Sequence, residues 1–166
     1  MTAGGSLGNN LCRAKLKRNA DAITILDRAR QRFPRAVRPK QLYALALARR
    51  SNTDDLDNAQ QILGELYESG ERDPETQGIY GRTWMDRYAL SLDVGDLRQS
   101  RDLYAEAFER GPDDYYTGIN AAAKNVFLGS AESIIECRRI CSQGSADCGN
   151  PAQAITGGRQ QSPRFF

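Results

Sequence analysis

The residues best suited to chemistry in this chain are its four cysteines, Cys12, Cys137, Cys141 and Cys148. Cys137 and Cys141 are four residues apart, so a helix would place them on one face. With Cys148 they could supply part of a metal site, but their spacing is not a recognised zinc pattern and no fourth ligand is evident. An even number of cysteines also fits disulfides in a secreted protein, although nothing else in the sequence indicates secretion. We therefore expect buried or incidental thiols, with no metal and no cofactor.

Histidine is absent from the chain. Its absence excludes Ser-His-Asp and Cys-His nucleophilic catalysis and every zinc or iron site that depends on histidine. Neither common glycine-rich phosphate-binding loop is present. Catalysis by carboxylates such as Asp86 and Asp114, or by a lysine, stays open as an alternative. The sequence predicts a protein that is not an enzyme and has no catalytic residues.

Length and charge set the class of protein. The chain has 166 residues, of which 40% are hydrophobic and 27% charged, as expected for a single globular domain. The net charge of +2 is too small to indicate binding to nucleic acid or to an anionic membrane. No apolar run is long enough to span a bilayer, and residues 1–10 do not resemble a secretory signal. We therefore predict a cytoplasmic protein without nucleic-acid or membrane partners.

Apolar residues recur at helical spacing along most of the chain, which predicts an all-α fold. Between these stretches lie residues that end helices, such as Phe33-Pro34, Ser69-Gly70 and Gly111-Pro112. Leu11–Arg18 is typical of the last turns of one helix, and Asn19-Ala20-Asp21 is typical of the cap of another. Later helices are predicted to begin near Pro39, Asp55, Pro74, Leu97, Asp114 and Ala131, with a break at Val94-Gly95-Asp96 and the last end near Cys141.

Alternate helices carry residues of similar size at the same spacing, which predicts a repeat of helical hairpins. A small residue lets the two helices of a hairpin cross closely, and bulky residues fill the joint with the next hairpin. The aligned positions in the second helices are Ala22, Leu26, Ala29 and Pro34; Ala59, Leu63 and Leu66; and Ser100, Tyr104, Ala107 and Pro112. The first helices align at Tyr43-Ala44 with Leu47, and at Tyr80-Gly81 with Trp84.

The order large, small, large in the first helices resembles the tetratricopeptide repeat (TPR), which has about 34 residues. The repeats here are 37 and 41 residues apart, counted from Ala22 to Ala59 and from Ala59 to Ser100, so the helices are separated by insertions. The resemblance implies antiparallel helical hairpins stacked as a short TPR-like α-solenoid. We predict a partly disordered segment at residues 1–18, the repeat domain at residues 19–141 and a disordered tail at residues 142–166.

A narrower resemblance lies in two stretches, NTDDLDNAQQILGELYESGERDPETQGIYGRTWMDR and DLYAEAFERGPDDYYTGINAA. They are similar to the TRAF-binding repeat region of the apoptosis signal-regulating MAP kinase kinase kinases, a domain also found in bacterial proteins. The match covers roughly residues 20–129, and its most specific pieces are Asp73-Pro74-Glu75-Thr76, Gly81-Arg82 and Gly118-Ile119-Asn120. The chain lacks the glycine-rich loop and the His-Arg-Asp loop of a kinase, so it resembles the regulatory repeat region alone.

The TPR resemblance implies a non-catalytic interaction module that binds a protein or peptide in the concave groove lined by the first helices. Arg82 and Asp86 either contact this partner or pair with each other. Lys124 either lies in the groove as a cation or extends its ammonium group to the surface. Tyr116 and Asn120 either bind the partner or anchor the start of their helix. The predicted partner-binding residues are Gln41, Arg82, Met85, Asp86, Tyr116, Asn120 and Lys124.

The match to the repeat family stops after Gly129, where the family would continue with more helices, and this supports an alternative interpretation. The chain would then be a structural fragment of a larger regulatory protein. An array whose last repeat is not capped exposes apolar surface, so such a fragment could self-associate through that repeat.

Overall fold

The computed structural model describes residues 5–52 and 54–144, with side chains from residue 18 to residue 143 apart from Thr53. These residues form seven helices and no strand, which confirms the all-α fold. Residues 1–4 and 145–166 lie outside the described part of the chain, and the predicted tail lies almost wholly there. The helices are α1 (Gly5–Arg32), α2 (Val37–Arg50), α3 (Asp55–Glu68), α4 (Pro74–Ser91), α5 (Val94–Arg110), α6 (Tyr115–Leu128) and α7 (Ala131–Gly144).

Each helix packs against the next one along the chain, and α2 also contacts α4. Short connections between neighbouring helices give antiparallel pairs. The pairs α2/α3, α4/α5 and α6/α7 are the hairpins of the repeat, and α1 has the residue pattern of a second helix. The helices α2, α4 and α6 are therefore the first helices of the pairs, as expected for a TPR-like solenoid.

Two helix boundaries differ from the sequence interpretation. The expectation of a new helix capped at Asn19 is wrong, because α1 continues from Gly5 to Arg32. The Asn19 amide donates to the backbone oxygen of Arg49 in α2 (3.2 Å). The expected break at Val94-Gly95-Asp96 is also wrong, because these residues form the first turn of α5. The Asp93 carboxylate accepts a hydrogen bond from the Gly95 amide (2.8 Å) and caps that turn.

The predicted domain limits at residues 18 and 141 stay predictions. Helix α1 runs across the first of these limits, and α7 continues three residues beyond the second. Pro39 lies in the first turn of α2 rather than at its start, a position where the missing amide hydrogen is tolerated.

The core is built from the repeated positions. Ala59, Leu63 and Ser100 are fully buried, and Tyr104 and Ala107 are almost so. Ala59 and Leu63 belong to a cluster of buried residues centred on α2 and α3, and Tyr104 belongs to another centred on α5 and α6. The same spacing of four and three recurs in α7 at Ser133, Cys137 and Ile140, where Ser133 and Ile140 are buried.

Close helix crossings depend on two glycines. A Cβ at Gly81 would be 2.8 Å from the Tyr104 ring, and a Cβ at Gly118 would be 2.8 Å from the Phe108 ring. The Ser100 hydroxyl donates to the Gly81 backbone oxygen (2.7 Å), which joins α5 to α4 at the first crossing. The first helices therefore lie in fixed positions beside one another, and they form the walls of the groove described next.

Candidate partner-binding site

A cleft of about 400 Å³ lies where α2, α4 and the start of α6 meet. Its apolar surface comes from side chains of all three helices, and charged groups of both signs lie at its edge. A cleft of this composition fits a chain segment that combines an apolar side chain with charged or polar groups. The cleft, called the groove below, is lined by Leu45, Arg49, Pro74, Glu75, Gly78, Ile79, Arg82, Asp114 and Tyr116.

The absence of a side chain at Gly78 gives the groove its shape. A Cβ at this position would be 3.4 Å from Cε1 of Tyr116, so the tyrosine ring lies against the backbone of α4. The Tyr104 hydroxyl donates to the Gly78 backbone oxygen (3.0 Å). The rings of Tyr104 and Tyr116 meet edge to face with centroids 6.1 Å apart. Two aromatic rings therefore hold α4, α5 and the start of α6 together beneath the groove.

A buried lysine lies next to this aromatic pair. Lys124 is 8% exposed, and its ammonium group is 4.7 Å from the centroid of the Tyr104 ring. The ammonium group donates to Oδ1 of Asn120 (2.7 Å), whose Nδ2 donates to the Tyr116 backbone oxygen (2.9 Å). Both contacts of the cation are with uncharged groups, a π face and an amide oxygen.

The electrostatics of the site follow from this burial. Burial, with a smaller contribution from the positive charge of Arg82, lowers the pKa of the Lys124 ammonium group to about 8. Burial also raises the pKa of the Tyr104 hydroxyl, so this group stays a neutral donor at physiological pH. A negative group brought close to Lys124 and Arg82 would relieve the repulsion between the two cations.

The predicted partner-binding residues fall into two sets. The structure brings Arg82, Asp86, Tyr116, Asn120 and Lys124 together on α4 and α6. Of these five, Arg82 and Tyr116 line the groove, whereas Asp86, Asn120 and Lys124 are not among its lining residues. Arg82 is mostly exposed and forms an ion pair with Asp86 (3.3 Å). Such a pair between exposed side chains contributes little to stability, and both groups stay accessible to a partner.

Gln41 and Met85 are placed differently. Gln41 is 4% exposed, and its amide donates to Oγ1 of Thr76 (2.7 Å) and Oδ2 of Asp73 (3.1 Å). These bonds join α2 to the first turn of α4, so Gln41 holds two walls of the groove in register. Met85 is half-buried on α4 and is not among the residues that line the groove.

Several groove residues were missed in the sequence interpretation. Arg49 is about two turns beyond Gln41 on α2, and Glu75 is about two turns before Arg82 on α4. Helical spacing from the predicted groove positions could have identified both. Tyr104 was assigned to the joint between hairpins only, and no sequence signal shows that its ring also contacts Lys124.

Other candidate chemistry is limited in the described residues. Among them, no group of three or more histidine, cysteine, aspartate or glutamate residues is placed to hold a metal ion. Cys137 is half-buried and Cys141 exposed, and burial followed by the neighbouring Cys141 raises the pKa of the Cys137 thiol. The side chains of Cys12 and Cys148 lie outside the described part. Asp114 caps α6 by accepting from the Tyr116 amide (3.1 Å), which is a structural task.

No helix among the described residues is both long and apolar enough to cross a membrane.

Comparison with known proteins gives one match. Residues 18–126, more than half of the chain, match the model of a family described as TPR-S, Tetratricopeptide Repeats-Sensor. No curated protein and no solved structure matches the chain.

Proposed function

The chain belongs to the Tetratricopeptide Repeats-Sensor family, and from this premise we propose that it is a non-catalytic module that binds a segment of another protein in the groove. Repeat families of the TPR type generally mediate protein–protein interactions and are generally not catalytic. The observation that carries the proposal is the convergence of α2, α4 and α6 on one cleft with an apolar wall and charges of both signs.

The groove suggests the chemistry of the partner. Leu45, Ile79 and the Tyr116 ring offer an apolar wall to one side chain of a bound segment. Burial, with a smaller contribution from the charge of Arg82, lowers the pKa of Lys124. Arg82 pairs with the Asp86 carboxylate, whereas the contacts of the Lys124 ammonium group are with uncharged groups. The segment we propose therefore places an acidic group towards Arg82 and Lys124 and an apolar side chain over Gly78.

Replacing Arg82 by glutamate is expected to weaken partner capture by about tenfold or more, where each tenfold corresponds to about 1.4 kcal/mol. The change puts a negative charge where the partner is proposed to bring its own, and the side chain is exposed enough for the fold to tolerate it. The measurement is capture of proteins from a cell lysate on the immobilised chain, with each captured protein quantified by mass spectrometry.

The matched control for this experiment is Arg98→Glu. Arg98 is also an exposed arginine, but it lies on α5 and does not line the groove. Circular dichroism should show the same helical content for both variants. A set of captured proteins that decreases equally with Arg82→Glu and Arg98→Glu, or with neither, contradicts groove binding.

Affinity for the captured partner is expected to fall as pH rises through about 8. A bound acidic group raises the pKa of Lys124 above the value of about 8 in the free chain. Lys124 then holds its proton more tightly in the complex than in the free chain. Binding is therefore strongest below about pH 8, where Lys124 of the free chain is already protonated, and it weakens as the lysine deprotonates. The measurement is the dissociation constant of the captured partner between about pH 7 and about pH 9.5.

Lys124→Arg is the control for the pH experiment. A guanidinium group keeps its charge throughout this range, so the variant should show a flatter dependence on pH. An affinity of the unmodified chain that does not change across the range would exclude Lys124 from the site.

Three predictions from the sequence are part of this proposal: a regulatory role, a cytoplasmic location and self-association. The resemblance to the TRAF-binding repeat region supports a scaffold or regulatory role for this module, and the cytoplasmic location stays a prediction. Self-association through the last repeat is the second candidate function. Phe127 on α6 and Ile135 on α7 support it, since they are 66% and 67% exposed.

A further inference from the structure

The small net charge of the chain conceals a strong separation of charge along it. Residues 1–50 contain twelve lysines and arginines and two aspartates, a net charge of +10. Residues 51–114 contain sixteen aspartates and glutamates and six arginines, a net charge of −10. Among the described residues, the first group contains α1 and α2, and the second contains α3 to α5. One end of the helical array is therefore basic, and its middle is acidic.

The basic end presents one continuous face. Arg18, Ile25, Arg28 and Arg32 are separated by seven, three and four residues, so they lie along one side of α1. All four are exposed, and Ile25 keeps 67% of its surface accessible. This row is called the basic face below. It combines three guanidinium groups with the apolar side chain of Ile25 and with the exposed carboxylate of Asp21, which lies between Arg18 and Ile25 on the same side.

The acidic middle carries a second cleft of about 520 Å³, formed by the turn between α2 and α3 and by the end of α4. Asp54, Asp57 and the apolar side chains of Leu56 and Leu90 are among its lining residues. Leu90 is 81% exposed. The cleft, called the acidic cleft below, also contains Arg87, which pairs with Asp57.

The acidic and apolar character continues past the end of α4. Leu92 is 72% exposed, and it is followed by Asp93. Two exposed leucines, Leu90 and Leu92, with aspartates close to them in sequence, have the composition that the basic face would need in a partner. The two surfaces match in charge and in apolar content, although they belong to different parts of one molecule.

We propose that the basic face of one copy of this chain docks in the acidic cleft of a second copy. The arginines of α1 would meet Asp54, Asp57 and Asp93, and Ile25 would contact the exposed leucines. The two surfaces are different, so a pair of copies still has one free basic face and one free acidic cleft. Further copies can add to these in the same way. The contact therefore builds a head-to-tail series and not a closed symmetric dimer. This assembly is independent of the groove, which neither surface includes.

Sedimentation velocity over a range of protein concentrations tests this assembly. The unmodified chain is expected to form a concentration-dependent series of oligomers at low salt. The series should revert to monomer at about 1 M salt, where the screening length falls to about 3 Å. A chain that stays monomeric at low salt and at every concentration overturns the proposal.

Neutralised variants make the test specific. Arg28→Gln with Arg32→Gln removes two of the three arginines of the basic face, and Asp54→Asn with Asp57→Asn removes both carboxylates that line the acidic cleft and leaves Arg87. Each of these double variants alone is expected to be monomeric. An equimolar mixture of the two should stop at a dimer, because each then offers the one surface that the other lacks. The control Arg98→Gln, on α5, should leave the oligomer series unchanged.

Other outcomes would identify another contact. Oligomers that survive both double variants and disappear with Phe127→Ser and Ile135→Ser show association through the last repeat, which overturns the proposal. Oligomers lost with Arg82→Glu show that the groove holds the second copy, and this also overturns it. Circular dichroism and a urea melt of each variant identify any loss of oligomers that results from unfolding.

Discussion

Replacing Phe108 by alanine is expected to lower the free energy of unfolding by about 3–5 kcal/mol. The Phe108 side chain is 1% exposed and belongs to the buried cluster with Tyr104, Ala121 and Ile140. Its ring fills the space over Gly118, where the α5 and α6 helices cross. Truncation removes apolar contacts and leaves a cavity between two repeats. Urea denaturation followed by circular dichroism measures the change.

Phe127 provides the matched control, because it is the same residue type at 66% exposure. Phe127→Ala should change the free energy of unfolding by no more than about 0.5 kcal/mol. Gly118→Ala adds a methyl group against the Phe108 ring and should be destabilising alone. When Phe108→Ala is also present, the ring is gone, so the double variant should lose less stability than the sum of the two single variants. Equal effects of Phe108→Ala and Phe127→Ala would contradict the placement of the ring in the core.

Replacing Asp55 by alanine is expected to cost about 3 kcal/mol of stability at neutral pH. Its carboxylate is 3% exposed, accepts from Nε of Arg50 (2.8 Å) and accepts from the Asn52 amide (2.8 Å). The change leaves the Arg50 guanidinium partly buried without its counter-ion. Because the Arg50 side chain is 28% exposed, the expected cost is at the lower end of the range for buried pairs.

The same carboxylate gives a dependence on pH whose direction follows from its hydrogen bonds. The bonds from Arg50 hold the pKa of Asp55 below its usual value, despite the opposing effect of burial. Its contribution is therefore present above the unfolded pKa of about 3.9, and it is lost as pH falls through the folded pKa. Urea melts of the unmodified chain and of Asp55→Ala should converge as the pH is lowered below about 4.

Asp57 is the control for this pair of experiments. Its side chain is 67% exposed and pairs with Arg87 on the surface, so Asp57→Ala should cost less than about 1 kcal/mol. A cost for Asp55→Ala as small as that for Asp57→Ala, or one that does not change with pH, would contradict a buried Arg50–Asp55 pair.

The repeat could be predicted from the sequence because it depends on local spacing. Small and bulky residues four and three apart, such as Ser100, Tyr104 and Ala107, identify the face of a helix that is buried against its neighbours. The same logic applies to Ala59 and Leu63. These positions are buried as expected, since neither the period of a helix nor the size of a residue depends on distant contacts.

The features that were not predicted depend on partners that are distant in sequence. Asn19 has the composition of a helix cap, but its amide donates to Arg49, thirty residues away. Gln41 has the position of a groove residue, yet its amide is held by Asp73 and Thr76 at the start of another helix. A single sequence gives no distances between helices. It therefore does not distinguish a residue that caps its own helix, or binds a partner, from one that hydrogen-bonds to a neighbouring helix.

The residues in and next to the groove also include some that follow from local spacing and some that depend on contacts between helices. Arg82 and Asp86 are one turn apart, so their proximity followed from helical spacing alone. The burial of Lys124 against the Tyr104 ring did not, because it depends on how closely α6 packs against α5. The lysine therefore appeared in the sequence as either a groove cation or a surface residue, and its lowered pKa became evident only from its burial.

A photo-reactive phenylalanine analogue placed at residue 116 tests the central claim most directly. Tyr116 lines the groove, whereas the neighbouring Tyr115 is 73% exposed and is not among the lining residues. We expect irradiation in the lysate to produce an adduct with another protein from position 116, and none of that protein from position 115. The adduct should also decrease when Arg82→Glu is added. Equal yields from both positions, or no protein adduct from position 116, would contradict the binding of a protein segment in the groove.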